Sequence, residues 1–265
     1  MYEHARTKVV NEPDALWQIH TRRGFLKVLG VGGTIVLMPS LFIGCNNDDA
    51  TGPGIASATL NLNTDTGILN YAYALEQLEA AFYTAVVAST AFGGMTAEQK
   101  EVFTDLWYHE VAHREFFKAA LGSNAIGALA LNTSTVTAAT ASTATILKNA
   151  EAFEDLGVSA YNGAGKYLQD ANNLLLAGKI VSVEARHAAT IRDLREGLGL
   201  AGTAANTRFA GDDVVNSSGL DVKLEPSTVL ARVVATQFVT TAITIGTSPT
   251  ITAATADAGP PNPTP

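Results

Sequence analysis

The chain has 265 residues, a net charge of −8 and charged side chains at only 16% of its positions. This length is enough for one large hydrophobic core or two small ones. The acidic balance argues against a nucleic-acid partner, because phosphate contacts need clustered lysine and arginine side chains. Residues 1–45 hold five of the 17 basic and three of the 25 acidic side chains, which leaves 12 basic against 22 acidic in the rest.

The first 45 residues have the pattern of an export signal. The segment TRRGFLK at 21–27 is followed by a mostly apolar run that ends at residue 44. A basic patch, an apolar stretch and a small residue in this order are typical of a segment removed on export, and the paired arginines resemble a twin-arginine signal. A membrane-spanning anchor is the alternative, but three glycines and Pro39 disfavour a stable helix there. We expect an exported protein of the periplasm or cell envelope.

Cys45 is the only cysteine, so the chain cannot form an internal disulfide. It ends the sequence LFIGC, which resembles a bacterial lipobox and predicts lipidation of Cys45, although Phe42 departs from the usual aliphatic residue. Simple cleavage nearby is the alternative. Either way, we expect membrane contact only through the signal or a lipid anchor. Residues 46–65 are rich in Asn, Asp, Gly and Thr and predict a flexible tether.

Helical periodicity predicts four long helices over residues 66–200. The first runs from residue 67 to about 89, and the second follows a capping box of Thr96 and Gln99 and ends near residue 121. The third and fourth cover about 145–168 and 174–196. Residues 123–145 are mostly Ala, Thr, Ser and Asn and predict a long connection. The pattern predicts an all-α fold, a four-helix bundle with one long crossover.

The C-terminal part reads differently from the bundle. Residues 201–245 form an extension whose first half looks irregular. An additional helix can begin at Pro226, although the many β-branched residues after it weaken this interpretation. Residues 246–265 end in GPPNPTP and are expected to be disordered.

The sequence contains Glu-x-x-His twice, at 110–113 within WYHEVAHRE and at 184–187 within SVEARHA. Residues three apart share a helix face. Each of the other two helices carries a glutamate followed seven residues later by a tyrosine, which again places the pair on one face. The gaps from lone to paired glutamate are 34 and 30 residues. The chain therefore looks like two copies of one helical hairpin.

This set of side chains suits a metal centre. Four carboxylates and two imidazoles can hold two divalent ions, and this mixture of donors suits Fe(II) or Mn(II). Converging carboxylates without a cation or a proton would be costly to bury. The predicted ligands are Glu76, Glu110, His113, Glu154, Glu184 and His187.

Several other side chains lie near the predicted ligands in the sequence. Tyr83 and Tyr161 are expected to donate hydrogen bonds to the ligands, or else to be core aromatics. Glu79 and Glu151 are rivals of the lone glutamates on their helices. His109 adjoins a ligand but points about 100° away, so we leave it out. The remaining acidic residues are expected on the solvated face: Asp105, Glu115 and Asp155.

These motifs resemble the ferritin-like superfamily, whose dinuclear members take one glutamate from each of two helices and Glu-x-x-His from the other two. The segments LNYAYALEQLEAAFY and SVEARHAATIRDL are similar to sequences of an exported bacterial branch of this superfamily. This branch is the ferritin-like domain family that includes desiccation-related proteins. The resemblance covers residues 66–198. It implies a ferritin-like bundle and places the two metal ions on the six predicted ligands.

Two functions are compatible with this resemblance. The first is a redox metalloprotein in which a dinuclear iron or manganese centre reacts with O2 or peroxide, as a ferroxidase, a peroxidase or a catalase-like enzyme. The second is a non-catalytic envelope protein of stress or desiccation tolerance whose site is weak or inactive. The sequence leaves a homo-oligomer open and disfavours a closed storage cage.

Overall fold

The computed structural model describes residues 54–200 and 210–247. Its four long helices are α1 (Asp65–Val87), α3 (Ala97–Leu121), α5 (Thr143–Ala164) and α6 (Ala171–Gly197). The shorter helices are α2 (Thr90–Gly93), α4 (Thr133–Ala139) and α7 (Pro226–Thr236). The described residues also contain two 3-10 turns (Gly122–Asn124 and Gly165–Tyr167) and two strands, β1 (Ser57–Asn61) and β2 (Ala242–Thr247).

The long helices form two hairpins that pack into a four-helix bundle. Helix α1 packs mainly on α3, and α5 packs mainly on α6, while α1 also contacts α5 and α3 contacts α6. The long connection lies between the second and third long helices. The predicted four-helix bundle with one crossover is therefore confirmed, and large apolar side chains such as Phe82, Phe103 and Phe153 fill its core.

Local capping fixes where the bundle helices begin. Thr96 and Gln99 form the predicted capping box of α3, since each side chain bonds the backbone of the other. Ser142 and Thr145 form a second capping box at α5. Asp170 accepts from the Asn172 amide and so starts α6 three residues earlier than periodicity predicts.

The crossover is held against α1 by two buried amide side chains. Asn70 donates to the Asn124 carbonyl and accepts from the Ile126 amide. Gln77 accepts from the Leu129 amide. These bonds satisfy backbone groups that burial would otherwise leave unpaired. The crossover also contains α4, which the sequence does not predict because its Thr and Ala residues have no amphipathic pattern.

The two strands differ from the sequence expectation. Residues 57–61, expected to lie in a flexible tether, pair in parallel with residues 242–247. Residues 242–245 are expected in the extension with its additional helix and residues 246–247 in the disordered tail, and both expectations are wrong here. Helix α7 instead ends at Thr236, and Gln237 adopts a left-handed conformation with φ 58°. The β-branched residues of AITIGT then favour a strand. The sheet ties the two ends of the described chain together.

The extension reaches the bundle through a close backbone approach. The Leu224 amide donates to the Ser159 carbonyl at 2.9 Å, and a Cβ on Gly163 would lie 1.8 Å from the Leu224 carbonyl oxygen. Only glycine allows this contact. The export signal, Cys45 and the residues after 247 lie outside the described residues. Within the described ranges, no helix combines the length and apolar character needed to cross a bilayer.

Candidate metal centre

The six predicted ligands meet in the interior of the bundle. The four glutamates, one from each long helix, have no exposed surface, and the two histidines are 13% and 5% exposed at the side chain. Their donor atoms form two groups, within each of which all atoms lie within 4.8 Å of one another: Glu76, Glu110, His113 and Glu184 in one, and Glu110, Glu154, Glu184 and His187 in the other.

The two groups share Glu110 and Glu184, the glutamates of the repeated motif. His113 Nδ1 lies 2.9 Å from Glu184 Oε1, and His187 Nδ1 lies 2.8 Å from Glu110 Oε1. Each histidine thus contacts the shared glutamate of the opposite hairpin. A shared carboxylate between two histidine-containing groups is the arrangement that bridges two ions.

Each tyrosine of the site also donates a hydrogen bond to a glutamate of the opposite hairpin. Tyr83 on α1 donates to Glu154 Oε1 on α5 at 2.5 Å, and Tyr161 on α5 donates to Glu76 Oε1 on α1. Both phenols therefore bond to a lone glutamate, as the sequence predicts. The reciprocal contacts have the pattern expected of two copies of one hairpin, and each phenol orients one carboxylate oxygen while the other faces the centre.

The atoms that face the centre are unsatisfied. Among the described residues, these buried atoms of the cluster form no hydrogen bond: Glu76 Oε2, both oxygens of Glu110 and of Glu184, Glu154 Oε2, and Nδ1 of His113 and of His187. The two Nδ1 atoms nevertheless lie within 2.9 Å of a carboxylate oxygen. Oε2 of the nearby Glu79 also forms none. Buried polar atoms are normally paired. Oxygen and imidazole donors left open toward one point fit divalent iron or manganese, so the donor set fits the ions that the resemblance implies.

The electrostatics of the cluster show that it needs positive charge. Burial raises the pKa of Glu76 well above its usual value despite the opposing effect of His113. Burial also raises the pKa of Glu154 to about 8, although His187 opposes this. Burial alone would lower the pKa of His113, but the carboxylates of Glu76 and Glu110 raise it well above its usual value. Without metal, protons must therefore balance the charge.

Glu110 behaves differently from the lone glutamates. Burial would raise the pKa of its carboxyl group, but His113 and His187 together hold that pKa below the usual value. Both imidazoles approach Glu110, at 3.4 Å for His113 and 2.8 Å for His187. They also both approach Glu184, at 2.9 Å and 3.8 Å. The position of Glu110 between the two histidines agrees with a bridging role.

His109, which the sequence analysis sets aside, belongs to the site. Its Nδ1 lies 2.9 Å from His187 Nε2, and the two rings stack at a centroid distance of 5.1 Å. The 100° offset from Glu110 points the ring toward α6. The overlooked signal is the spacing of four residues to His113, which places both rings on one side of α3.

Other acidic residues divide between the site and the surface. Glu79 is 3% exposed and lies beside the cluster, so both α1 glutamates are buried. Glu151 pairs with Arg195 and is no rival of Glu154. Asp105 is exposed and Glu115 pairs with Arg114, as expected of surface residues. The expectation that Asp155 is solvated is wrong, because it pairs with the buried Arg192.

The comparison with curated proteins returns no match. A sequence model described as the Ferritin-like domain matches residues 64–197, about half of the chain. The matched range covers all four bundle helices and all six predicted ligands. The chain therefore belongs to the ferritin-like domain family.

Proposed function

We propose that the protein is a metalloprotein with a dinuclear iron or manganese carboxylate centre that reacts with O2 or peroxide. One observation carries the proposal: two groups of buried donors, each with one histidine, share Glu110 and Glu184. Two divalent ions would neutralise the four carboxylates of these groups. Bound iron or manganese would supply the electrons that reduce an oxidant.

The residues of the chain would bind and orient the ions and exclude water. Glu110 and Glu184 would be shared between the two ions, and each histidine would hold one of them. Tyr83 and Tyr161 hold the lone glutamates in place through their hydroxyl groups. Full burial of the four glutamates keeps bulk water out of the centre.

The surroundings of the site favour a small oxidant as the substrate. A small, mostly apolar cavity borders Tyr161 and is lined by Leu75 and Phe117 among other side chains. His113 is the most exposed of the six ligands, at 13% of its side chain. A deeply buried centre with only a small cavity beside it suits a small oxidant such as O2 or peroxide better than a bulky organic substrate.

The experiment is metal loading followed by oxidant consumption. Metal-free full-length protein is titrated with Fe(II) under nitrogen or with Mn(II), and bound ions are counted by elemental analysis. The loaded protein is then mixed with O2 or with H2O2, and the loss of oxidant is measured. We expect two ions per chain and consumption that depends on them. Iron oxidation, peroxide reduction and peroxide dismutation are separated by their products.

Two variants provide the controls. Glu110→Ala removes a bridging ligand and is expected to abolish both binding and consumption. Glu115→Ala removes a surface carboxylate on the same helix and should change neither. Loaded protein that consumes no oxidant would support a non-catalytic role in the envelope, and protein that binds no ion would refute the proposal.

We also propose that the protein is exported, with Cys45 at or near the mature N-terminus. The support is the sequence TRRGFLK, the apolar run and LFIGC. Export by the twin-arginine route would allow the metal to be loaded before transport. Mass spectrometry of protein from the native cell envelope gives the test. We expect a chain that starts near Cys45, with or without lipid, and an intact segment 1–44 on exported protein would contradict the proposal.

A further inference from the structure

A fifth buried glutamate lies beside the centre. Glu79 follows Glu76 by one turn of α1 and is only 3% exposed. In the described part of the chain its Oε2 has no hydrogen-bond partner. It is a member of neither group of four donors. An acidic side chain this deeply buried and left with an open oxygen requires a cation or a proton nearby.

The repeat of the hairpin makes Glu79 unusual. Glu76 and Glu154 occupy corresponding positions, so the residue that corresponds to Glu79, three positions on, is Gly157. The two hairpins therefore differ here, with a carboxylate on one side and no side chain on the other. This difference breaks the symmetry of an otherwise reciprocal site.

Gly157 leaves the space that the Glu79 carboxylate fills. A Cβ at Gly157 would lie 3.0 Å from Glu79 Oε1 and 3.6 Å from Glu184 Oε2. The Glu79 head thus reaches across from α1 to the backbone of α5, close to one of the two shared glutamates. Any larger residue at position 157 would press on this carboxylate. The two departures from symmetry are therefore complementary.

We propose that Glu79 is a seventh protein ligand, a fifth carboxylate that binds the dinuclear centre through its open Oε2, and that Gly157 is required to admit it. This inference rests on the proposed dinuclear centre. Four carboxylates balance two divalent ions, so a fifth carboxylate leaves one negative charge. That charge is balanced when one ion becomes trivalent. Glu79 would therefore tighten metal binding and favour the oxidised state of the centre.

The test compares three variants of the full-length protein with the wild type. Glu79→Gln keeps the size of the side chain and removes its charge. Gly157→Ala keeps Glu79 but places a methyl group against its carboxylate. Glu151→Gln is the control, because it removes a glutamate of the bundle that pairs with Arg195 and belongs to neither donor group. Melting curves of the metal-free proteins establish which variants fold.

Two quantities are measured: Mn(II) affinity by competition with a chelator, and the midpoint potential of the iron-loaded protein. We expect Glu79→Gln to bind at least one ion about tenfold or more weakly and to shift the midpoint potential to more positive values. Gly157→Ala should change both quantities in the same direction but less. Glu151→Gln should match the wild type.

The outcomes separate this inference from the proposed function. If the wild type binds two ions and Glu79→Gln binds them with the same affinity and potential, Glu79 is not a ligand, while the dinuclear centre stands. If the wild type binds no ion, both proposals are refuted. If Glu79→Gln does not fold, Gly157→Ala decides: unchanged affinity and potential overturn the inference, and a loss in both supports it.

Discussion

His109 Nδ1 lies 2.9 Å from His187 Nε2, so the two imidazoles form a hydrogen-bonded pair at the edge of the cluster. The other nitrogen of His187, Nδ1, faces Glu110 and Glu154. A nitrogen that binds metal must be unprotonated, which places the proton of the neutral ring on Nε2. The Nε2–H group of His187 then donates a hydrogen bond to His109 Nδ1. This bond fixes both the tautomer and the orientation of the His187 ring.

This pair predicts a specific effect of substitution at position 109. His109→Phe keeps a flat ring but removes the hydrogen-bond acceptor. We expect this substitution to lower the affinity for one of the two ions by about 10–100-fold. His109→Asn keeps an acceptor oxygen in a similar place and should retain most of the affinity. A titration with Mn(II) in competition with a chelator provides the measurement. Equal affinities in the two variants would show that His109 does not position His187.

The tyrosines predict a loss of stability. Tyr83→Phe and Tyr161→Phe each remove a donor to a buried carboxylate, Glu154 and Glu76 respectively. We expect each to lower the free energy of unfolding of the loaded protein by about 1–3 kcal/mol, since the oxygen left behind stays buried. Urea denaturation measures this change. Tyr108→Phe is the matched control, because Tyr108 is 52% exposed and its loss should cost less than about 0.5 kcal/mol.

The pKa shifts predict how stabilisation by metal depends on pH. Burial raises the pKa of Glu154 to about 8 in the metal-free fold, although His187 opposes this, against 4.5 for the free side chain. Between these values the folded chain holds a proton that the unfolded chain has lost, so this contribution to stability declines as pH rises. Metal must displace the same proton, so affinity rises over this window.

We therefore expect Mn(II) to raise the melting temperature more at about pH 8 than at about pH 5.5. The raised pKa of His113 acts in the same direction, because its proton also has to leave. The lowered pKa of Glu110 affects stability only at pH values below 4.5, the usual pKa of a glutamate side chain. Melting curves with and without Mn(II) at the two pH values test this prediction. A shift that is equal or smaller at the higher pH would contradict it.

Arg192 predicts a second, metal-independent contribution to stability. Its side chain is 2% exposed and pairs with Asp155 on α5 and Asp213 in the extension. Arg192→Met would leave Asp155 partly buried without its partner. We expect a loss of about 2–4 kcal/mol, since Asp213 is 40% exposed and gains water in return. Arg186→Met on the exposed side of α6 is the control and should be nearly neutral.

Proteolysis provides a second measurement for Arg192. The ion pair with Asp213 connects the bundle to the extension. In Arg192→Met we expect faster cleavage near residue 213 while the bundle stays intact. Cleavage at the same rate in both arginine variants would show that the ion pair does not hold the extension.

The sequence could predict the bundle and its six ligands because both depend on local spacing. Helical periodicity marks α1, α3, α5 and α6, and Glu-x-x-His places two donors on one face whatever the rest of the chain does. The Thr96–Gln99 capping box was predictable for the same reason. These features arise within a few residues of chain.

Other features depend on distant partners and left no local signal. Strand β1 pairs with residues 185 positions away, as Ser57 with Ala242, so its short polar sequence reads as a tether. The sequence pattern places Asp155 on the surface, and only the structure shows that it pairs with the buried Arg192. Spacing alone leaves Glu79 and Glu151 as equal rivals of the lone glutamates, and only the structure shows Gly157 opposite Glu79.

The central claim is that two ions bind in two donor groups that share their bridging glutamates. The most direct measurement is the number of Mn(II) ions bound per chain in the wild type, His113→Ala and His187→Ala. The account predicts two ions in the wild type and, in both histidine variants, weakened binding of one ion to a similar extent. A wild type that binds no ion, or binding that neither substitution weakens, would contradict it.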